Sequence, residues 1–532
     1  MCVSSPLRNC KYTVSLSQTN IDGSSLSIKG GDTIYIEPGH RDHLRFYNIH
    51  GDSLNYVVFI NNGGLVEVST NNFYYGIQVY SCSFFKLTGT GSDSLSYGIK
   101  IGNTPTGTNG LSLDGSSTNY EVDHIEVAKS GFAGICANPK PDCDNNLNRG
   151  NFTCRNTTFH NNYVHGTAGE AFYIGHSFYT GYTITCDSVK KTVYPHEIHG
   201  LKIFNNVVDS SGYDGIQVGC ATKECEIFGN RISNYGVSNT KDQNFGIIIG
   251  AGTGGKCYNN LIVDGTGNGI NVFGLGGNLI YNNIIVNPGH ALNDTMTTEK
   301  ANGIFCDDRC TIEGSSFSFL NNTIISPKGD GIRIYSKLSK NNNICNNIIL
   351  NPGTLDSYSP YLSPDLPYVY TIHGVDATVT NNYFSKSVST TVNYGNPDES
   401  FNYFMTLPVI DKGLDVSNYG ITEDYNLNNR KSNNICDIGA FEYPASIIQK
   451  LKPTSIKVIS GNNTGELYIY SEKKENISSV LIYQLSGQLI YSNKPNTENT
   501  TIKTMDYLKS GIYLVCVNTR DEECKTKFIT CH

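Results

Sequence analysis

The sequence predicts an all-β fold, a long solenoid of parallel strands followed by a small β-sandwich, and three observations carry that expectation. A doubled polar step recurs as Asn161-Asn162, Asn205-Asn206, the partial copy Gly229-Asn230, Asn259-Asn260, Asn282-Asn283, Asn321-Asn322 and Asn346-Asn347, each followed by a short apolar strand. Between these steps a small residue, an Ile, any residue and another aliphatic return as Gly215-Ile216-Gln217-Val218, Gly246-Ile247-Ile248-Ile249, Gly269-Ile270-Asn271-Val272, Gly303-Ile304-Phe305-Cys306 and Gly331-Ile332-Arg333-Ile334. Finally, 54 Gly, 35 Tyr and only 16% charged residues in a 532-residue chain suit a turn-rich all-β protein better than a helical one.

Self-similarity at a period of roughly 20 to 45 residues, built from β-branched strands, is the mark of stacked coils. Asn tolerates left-handed backbone at a tight corner, and amides stacked from coil to coil can bond one another. Ile and Val of successive coils then fill one continuous core that no single repeat could bury.

In chain order, residues 1–65 are expected to form N-terminal strands and a cap, containing Tyr12-Thr13-Val14 and the string Gly31 to Gly39, GDTIYIEPG. Residues 66–443 are the solenoid, with further copies of the phrase at Gly76-Ile77-Gln78-Val79, Gly98-Ile99-Lys100-Ile101 and Gly134-Ile135-Cys136-Ala137 and a looser one at Ala171-Phe172-Tyr173-Ile174. Excursions at 137–155, 177–197 and 288–301 interrupt the stack, and insertions of this kind project from one face and wall a groove. Near the end, Arg430 and Asp437-Ile438-Gly439-Ala440-Phe441-Glu442-Tyr443 read as a C-terminal cap with a structural ion-pair set. Residues 444–453 form a linker, and 454–532 a β-sandwich of alternating strands such as Leu467-Tyr468-Ile469-Tyr470 and Gly511-Ile512-Tyr513-Leu514-Val515.

On these repeats the chain resembles the right-handed parallel β-helix of pectate-lyase-like proteins over roughly Gly31 to Tyr443. The resemblance implies architecture rather than reaction, because the fold carries lyases, hydrolases, esterases and adhesins. The GDTIYIEPG string is similar to the opening of many extracellular β-helix proteins, and the closing DIGAFE to that of bacterial surface ones. In the last module, YQLSGQLIY (483–491), then LKSGIYLV (508–515) and a basic terminal strand resemble the sorting domain of the type IX secretion route in Bacteroidetes-like bacteria. That likeness implies an extracellular or surface location, with secretion and surface-attachment machinery as partners.

A formal net charge of −8 argues against general nucleic-acid or anionic-membrane binding, which need a basic surface. No run of 18 apolar residues is present to span a membrane. Met1-Cys2 opens a polar stretch without a signal-peptide core, so export is argued from the C-terminal module. Seventeen Cys, several in short loops, suggest local disulfides: Cys2 with Cys10, Cys136 with Cys143 or Cys154, Cys220 with Cys225, Cys306 with Cys310, and Cys524 with Cys531. Zinc is the lesser alternative, as neither CxxC nor HExxH occurs.

Aligning coils on the Gly-Ile phrase stacks the preceding residues in one column: Tyr75, Tyr97, Ala133, Glu170, Asp214, Phe245, Asn268, Asn302 and Asp330. Adjacent coils lie about 4.8 Å apart, so Glu170 and Asp214 become neighbours, and close carboxyls driven toward different protonation states are the machinery of glycoside hydrolysis. An acid before Gly is also an ordinary turn residue. The outward column Tyr173, Gln217, Ile248, Asn271, Phe305 and Arg333, with His176 and Gln243 beside it, offers rings and amides suited to sugars. A second acidic cluster, Asp307-Asp308-Arg309, resembles the adjacent Asp pair of β-helix polygalacturonases, and is also a candidate for Ca²⁺ or for a plain turn. Lyase chemistry would draw a base or carboxylate neutraliser from Arg309, Arg333, Lys337 and Lys340, with Asp307 and Asp308 holding Ca²⁺, and His176, beside Tyr173 and close to Glu170, is the histidine singled out as a catalytic candidate; hydrolysis needs no cofactor.

The functional expectation is a secreted or surface enzyme cleaving glycosidic bonds of a complex polysaccharide, hydrolysis preferred over lyase chemistry because the acidic balance disfavours polyanions. The alternative is a non-catalytic carbohydrate-binding or adhesive β-helix.

Overall fold

The structure is a computed structural model that describes residues 10–290, 301–359, 361–388, 392–394, 403–405, 408–431, 435–442, 456–460, 466–484, 489–503, 511–520 and 523–530. The chain divides into two compact units, Met1–Tyr443 and Pro444–His532. The expected linker, most of the 288–301 excursion, and the Cys2–Cys10 and Cys524–Cys531 pairings lie outside what is described.

In the first unit the chain winds through three long parallel sheets, one of 13 strands and two of 12. The first runs from Cys10–Val14 to Ala377–Thr380, the second from Gly39–Arg41 to Tyr383–Ser385, and the third from Asn20–Asp22 to Val369–Tyr370. Almost every strand pairs with the strand one coil earlier and one coil later, which is a β-helix. The expected N-terminal cap strands are themselves coils of this stack: Thr33–Ile36 lies between Cys10–Val14 and Val57–Asn61.

The doubled Asn step acts as the sequence suggests. Its first residue turns the corner with left-handed backbone, as at Asn161 (φ 54°), Asn205 (φ 53°), Asn259 (φ 53°) and Asn346 (φ 56°), with Gly229 (φ 64°) in the partial copy. The second residue is buried and joins a ladder, Asn162, Asn206, Asn230, Asn260, Asn283, Asn322, Asn347 and Asn382, in which each Nδ2 donates to the next Oδ1 at 2.9–3.0 Å. Each Nδ2 also donates to a carbonyl of the preceding coil, as Asn260 does to Ile227 O at 3.0 Å. Asn260→Ala therefore strands the Asn230 amide and the Ile227 carbonyl in a dry interior. It is expected to cost about 3 kcal/mol, measured as a fall in denaturant midpoint, because an orphaned buried polar group costs about 1–3 kcal/mol.

Residues 408–431 and 435–442 do not cap the end of the stack. They lie along its side, where Val409, Ile438, Ala440 and Phe441 pack on Leu261, Val263, Ile284, Val286, Ile325, Ile348 and Leu350. Those strands of the second sheet are consequently buried on both faces, which explains their unbroken aliphatic runs. The strap is pinned by buried Arg430, whose guanidinium lies 2.9 Å from Glu442 and donates to Asn282 Oδ1 and the Gly439 carbonyl. Glu442 also accepts from the Asp437 N–H. Burial raises Glu442 to about 8 against the pull of Arg430, so in Arg430→Met the carboxyl takes up a proton while Asn282 Oδ1 and the Gly439 carbonyl lose their donor, and a loss of about 1–3 kcal/mol is expected in chemical denaturation.

The second unit has a three-stranded antiparallel sheet (Ile456–Ser460, Glu466–Ser471, Asn499–Lys503) and a four-stranded one (Ser479–Gln484, Leu489–Asn493, Gly511–Asn518, Glu523–Thr530). They share a core of Leu467, Ile469 and Ile502 from one and Val480, Ile482, Val515 and Val517 from the other, a small sandwich.

The cysteines depart from the local-pair expectation. Cys143 is bonded to Cys186, while Cys136, Cys154, Cys220, Cys225 and Cys306 are buried thiols and Cys310 is half-buried. A β-helix separates sequence neighbours onto different sheets: Cys136 sits in the third sheet and Cys154 in the first. The two excursions, 43 residues apart at the bond, meet instead.

Candidate functional site

The outward face of the third sheet carries the site. Its corner column forms as expected from coil to coil: Gly134 N–H donates to Glu170 O, Ala171 to Asp214 O, Gly215 to Phe245 O, Gly246 to Asn268 O, Gly269 to Asn302 O and Gly303 to Asp330 O. One member is misplaced. The Gly98 phrase belongs to the second sheet, where Ile99–Ile101 pairs with Val66–Val68, so Tyr97 leaves the column and Asn109 stands between Tyr75 and Ala133. The signal was present in Asn109-Gly110-Leu111-Ser112-Leu113-Asp114, a copy with Leu in place of Ile. The outward row runs Cys136, Tyr173, Gln217, Ile248, Asn271, Phe305, Arg333 and on to Tyr370.

Two cavities open on this face. The larger, about 730 Å³, is walled by Asn138, Pro139, Lys140 and Leu147 of the first excursion and His176, Phe178 and Tyr182 around the second, with Tyr80, Asp114, Phe132, Cys136 and Tyr173 on its floor. The Cys143–Cys186 bond ties these two walls together. The smaller, about 240 Å³, is lined by Phe245, Asn268, Asn271, Phe273, Asn302, Phe305, Arg309 and Arg333, with Asp242 and Asn244 from the adjoining loop.

Glu170 and Asp214 are neighbours electrostatically as well as in register, since the Glu170 charge adds to the forces raising Asp214. Burial raises both, Glu170 to about 7 and Asp214 well above the carboxylate range. Neither lines either of these two cavities: Glu170 is 3% exposed and Asp214 0%. Asp214 Oδ1 accepts the Phe245 N–H at 2.8 Å, which makes it a corner-bracing group, while Asp214 Oδ2 and Glu170 Oε2 are both buried without a hydrogen-bond partner. The Glu170 charge also reaches Tyr173 and Cys136, both in the larger cavity, so this carboxyl lies just behind its floor.

Asp114, which the sequence reading missed along with Lys140, is the carboxyl among the described lining residues of the larger cavity. Burial raises it, while the Gln78 amide, donating at 2.7 Å, and the Arg45 guanidinium oppose the rise. His176 lines the same cavity, accepts the Phe178 N–H on Nδ1 and stacks on Tyr182 at 5.0 Å. Desolvation, with Lys140 adding to it, pushes His176 down to about 4, so it is neutral at ordinary pH. Tyr173 is raised by burial to about 12, and its hydroxyl shares Ser177 Oγ with the Gln217 amide. Gln243 is exposed and lines neither cavity.

Asp307 is engaged within its own loop and Asp308 by the loop of the next coil. Asp307 takes a bidentate pair from Arg309, closing to 2.6 Å, and Asp308 accepts the Lys337 and Leu338 N–H groups. Calcium needs an open cage of oxygens, and here a guanidinium already neutralises one carboxylate while the other braces a turn. The pair does not fit the ion, and no step is routed through it. On the first sheet, Glu121, Asp123 and His160 lie within 4.8 Å of one another, but Lys86 Nζ sits 2.6 and 2.8 Å from the two carboxylates and fills the place of a cation. The His160 hydrogen bond, helped by Lys86, drives Glu121 down to about 2.

Residues 192–362 match the family model described as a right handed beta helix region, and 463–530 the model of a secretion system C-terminal sorting domain. The chain is a secreted or cell-surface protein. Its tail is of the type IX sorting kind, and no helix among the described residues is long and apolar enough to cross a membrane. Solved structures similar to it include the GH136 lacto-N-biosidase from Eubacterium ramulus (12% identity, 71% of this chain and 68% of that one, TM-score 0.39). A PL6 family polysaccharide lyase from Pseudopedobacter saltans (11%, 75% and 98%, TM-score 0.36) and a rhamnogalacturonan lyase (13%, 71% and 90%, TM-score 0.34) are also similar. Glycoside hydrolases and polysaccharide lyases thus stand among the structural neighbours of this β-helix. No curated protein matches the chain.

Proposed function

We propose that this protein is an extracellular enzyme that hydrolyses glycosidic bonds of a polysaccharide lying along the outward face of the third sheet. The observation that supports this most is the larger cavity, which sets a carboxyl, Asp114, among the rings of Tyr80, Phe132, Tyr173, Phe178 and Tyr182. Rings cover the C–H faces of sugars, and a few polar groups orient the hydroxyls. Glu170, holding its proton to about pH 7 behind the floor of Tyr173 and Cys136, is the proposed proton donor, and it reaches a leaving oxygen only when a bound sugar displaces those floor residues. Asp114, raised by burial and drawn back by the Gln78 amide and the Arg45 guanidinium, is the second carboxyl of the proposed pair. Lyase chemistry finds less support: His176, pushed down to about 4, is too weak a base to draw a proton from carbon readily, Tyr173 is pushed away from ionisation, and Lys140 is left as the cation among the described residues of this cavity to neutralise a uronate.

A second reading, a binding module without catalysis, draws on the slight exposure of Glu170 and the full burial of Asp214. The deciding experiment is a panel of soluble polysaccharides followed for reducing ends and for unsaturated-uronate absorbance, with and without chelator. Reducing ends alone, lost in Asp114→Asn, are the expected result. Unsaturated products would replace hydrolysis with lyase chemistry, and binding without either signal would leave the binding module.

A further inference from the structure

The smaller cavity lies on the same face, and we infer that it is a remote subsite for an uncharged sugar unit, which makes the substrate a neutral glycan running along the solenoid axis. The inference rests on the proposed carbohydrate site and adds to it a substrate class and a direction. From Tyr173 to Asn271 the outward row crosses three strand steps, through Gln217 and Ile248. At about 4.8 Å per step this is about 14 Å, so a chain that fills both cavities crosses the strands instead of following one.

The chemistry of the lining sets the charge of the ligand. Both guanidiniums are already paired: Arg309 grips Asp307, and Arg333 Nε lies 3.2 Å from Asp330. Their faces are covered too, Arg309 by the Phe273 ring at 3.9 Å and Arg333 by Tyr370 at 4.1 Å. With Asp242 also on the rim, an incoming carboxylate meets no unpaired cation among the described lining residues, and would lose its hydration for little in return. Amides remain. Asn302 donates to Asn268 Oδ1, Asn268 donates to Asn271 Oδ1 at 2.8 Å, and the Asn271 Nδ2 end of this relay meets no protein acceptor among the described residues. An amide row facing Phe245 and Phe305 presents donors and acceptors to hydroxyls beside rings for C–H faces, the lining an uncharged sugar requires.

The test is affinity electrophoresis of the whole chain in gels containing a soluble β-glucan or galactomannan, or polygalacturonate or alginate, at low and high salt. Retardation by a neutral polymer, insensitive to salt and weakened about tenfold in Asn271→Ala and in Phe305→Ala, is expected. Phe305→Tyr keeps a ring and is expected to retain binding, and thermal midpoints separate lost binding from lost fold. Retardation by the polyuronates that fades with salt overturns the inference, as do absence of retardation by either neutral polymer and neutral binding that the Asn271 and Phe305 variants leave intact. Neutral binding through these residues without release of reducing ends sinks the hydrolase and keeps the subsite. Cleavage of a neutral polymer undiminished in both variants sinks the subsite and keeps the hydrolase.

Discussion

Glu170→Gln is expected to lower turnover on a cleaved polysaccharide by about 10²–10⁴-fold, the usual worth of a positioned proton donor, while binding of the same polymer persists. Wild-type turnover should fall as pH rises through about 7, where the buried carboxyl loses its proton, and that limb should be missing from the residual activity of the Gln variant. The same group predicts a stability effect of definite sign. A carboxyl whose folded pKa is raised from 4.5 to about 7 stabilises the fold fully below 4.5, and that contribution is lost as pH rises through about 7. At about 1.36 kcal/mol per pKa unit the loss is roughly 3 kcal/mol, so Glu170→Gln should be more stable than the wild type at pH 8 and no more stable at pH 4. Denaturant melts at the two pH values read this directly. Equal midpoints at pH 8 would mean that Glu170 is solvated and unfit as the donor.

Opening the Cys143–Cys186 bond is the second large effect expected. In the chain-entropy picture, a link across 43 residues stabilises by about 4 kcal/mol, and both ends lie in the excursions that wall the larger cavity. Cys143→Ser with Cys186→Ser, or reduction of the native chain, should expose 137–155 and 177–197 to limited proteolysis. The Michaelis constant for polymer should rise with the loss of the Lys140 and His176 walls. The buried thiols of the core, such as Cys257 and Cys306, should not respond. Unchanged proteolysis after verified reduction would show that the walls stand without the bond.

Much of the corner column was legible because it rests on periodicity: once the Gly-Ile phrase is in register, Glu170, Asp214 and Asp330 must stack. The reading failed where two sheets share one local pattern, since the Gly98 phrase obeys the template yet turns onto another face, and where Leu111 replaced Ile. Which acid faces a cavity was not legible. Glu170 and Asp214 hold equivalent positions and each keeps one buried unpartnered oxygen; only the neighbours that the insertions bring set Glu170 behind the cavity floor, while Asp214 also braces the Phe245 N–H.

By itself the sequence determined the coil architecture, the Asn ladder and the export module, and pointed to Arg430, Asp437 and Glu442 as a structural ion-pair set, because each follows from residues close in the chain or repeated along it. The tertiary structure alone decided that Asp114 and Lys140 join His176 in one cavity, that Cys143 bonds Cys186, and that residues 408–431 and 435–442 run along the side of the stack. The reason is the same in each case: these meetings depend on where excursions of irregular length return, and loop return is governed by packing against distant coils, which no local pattern encodes.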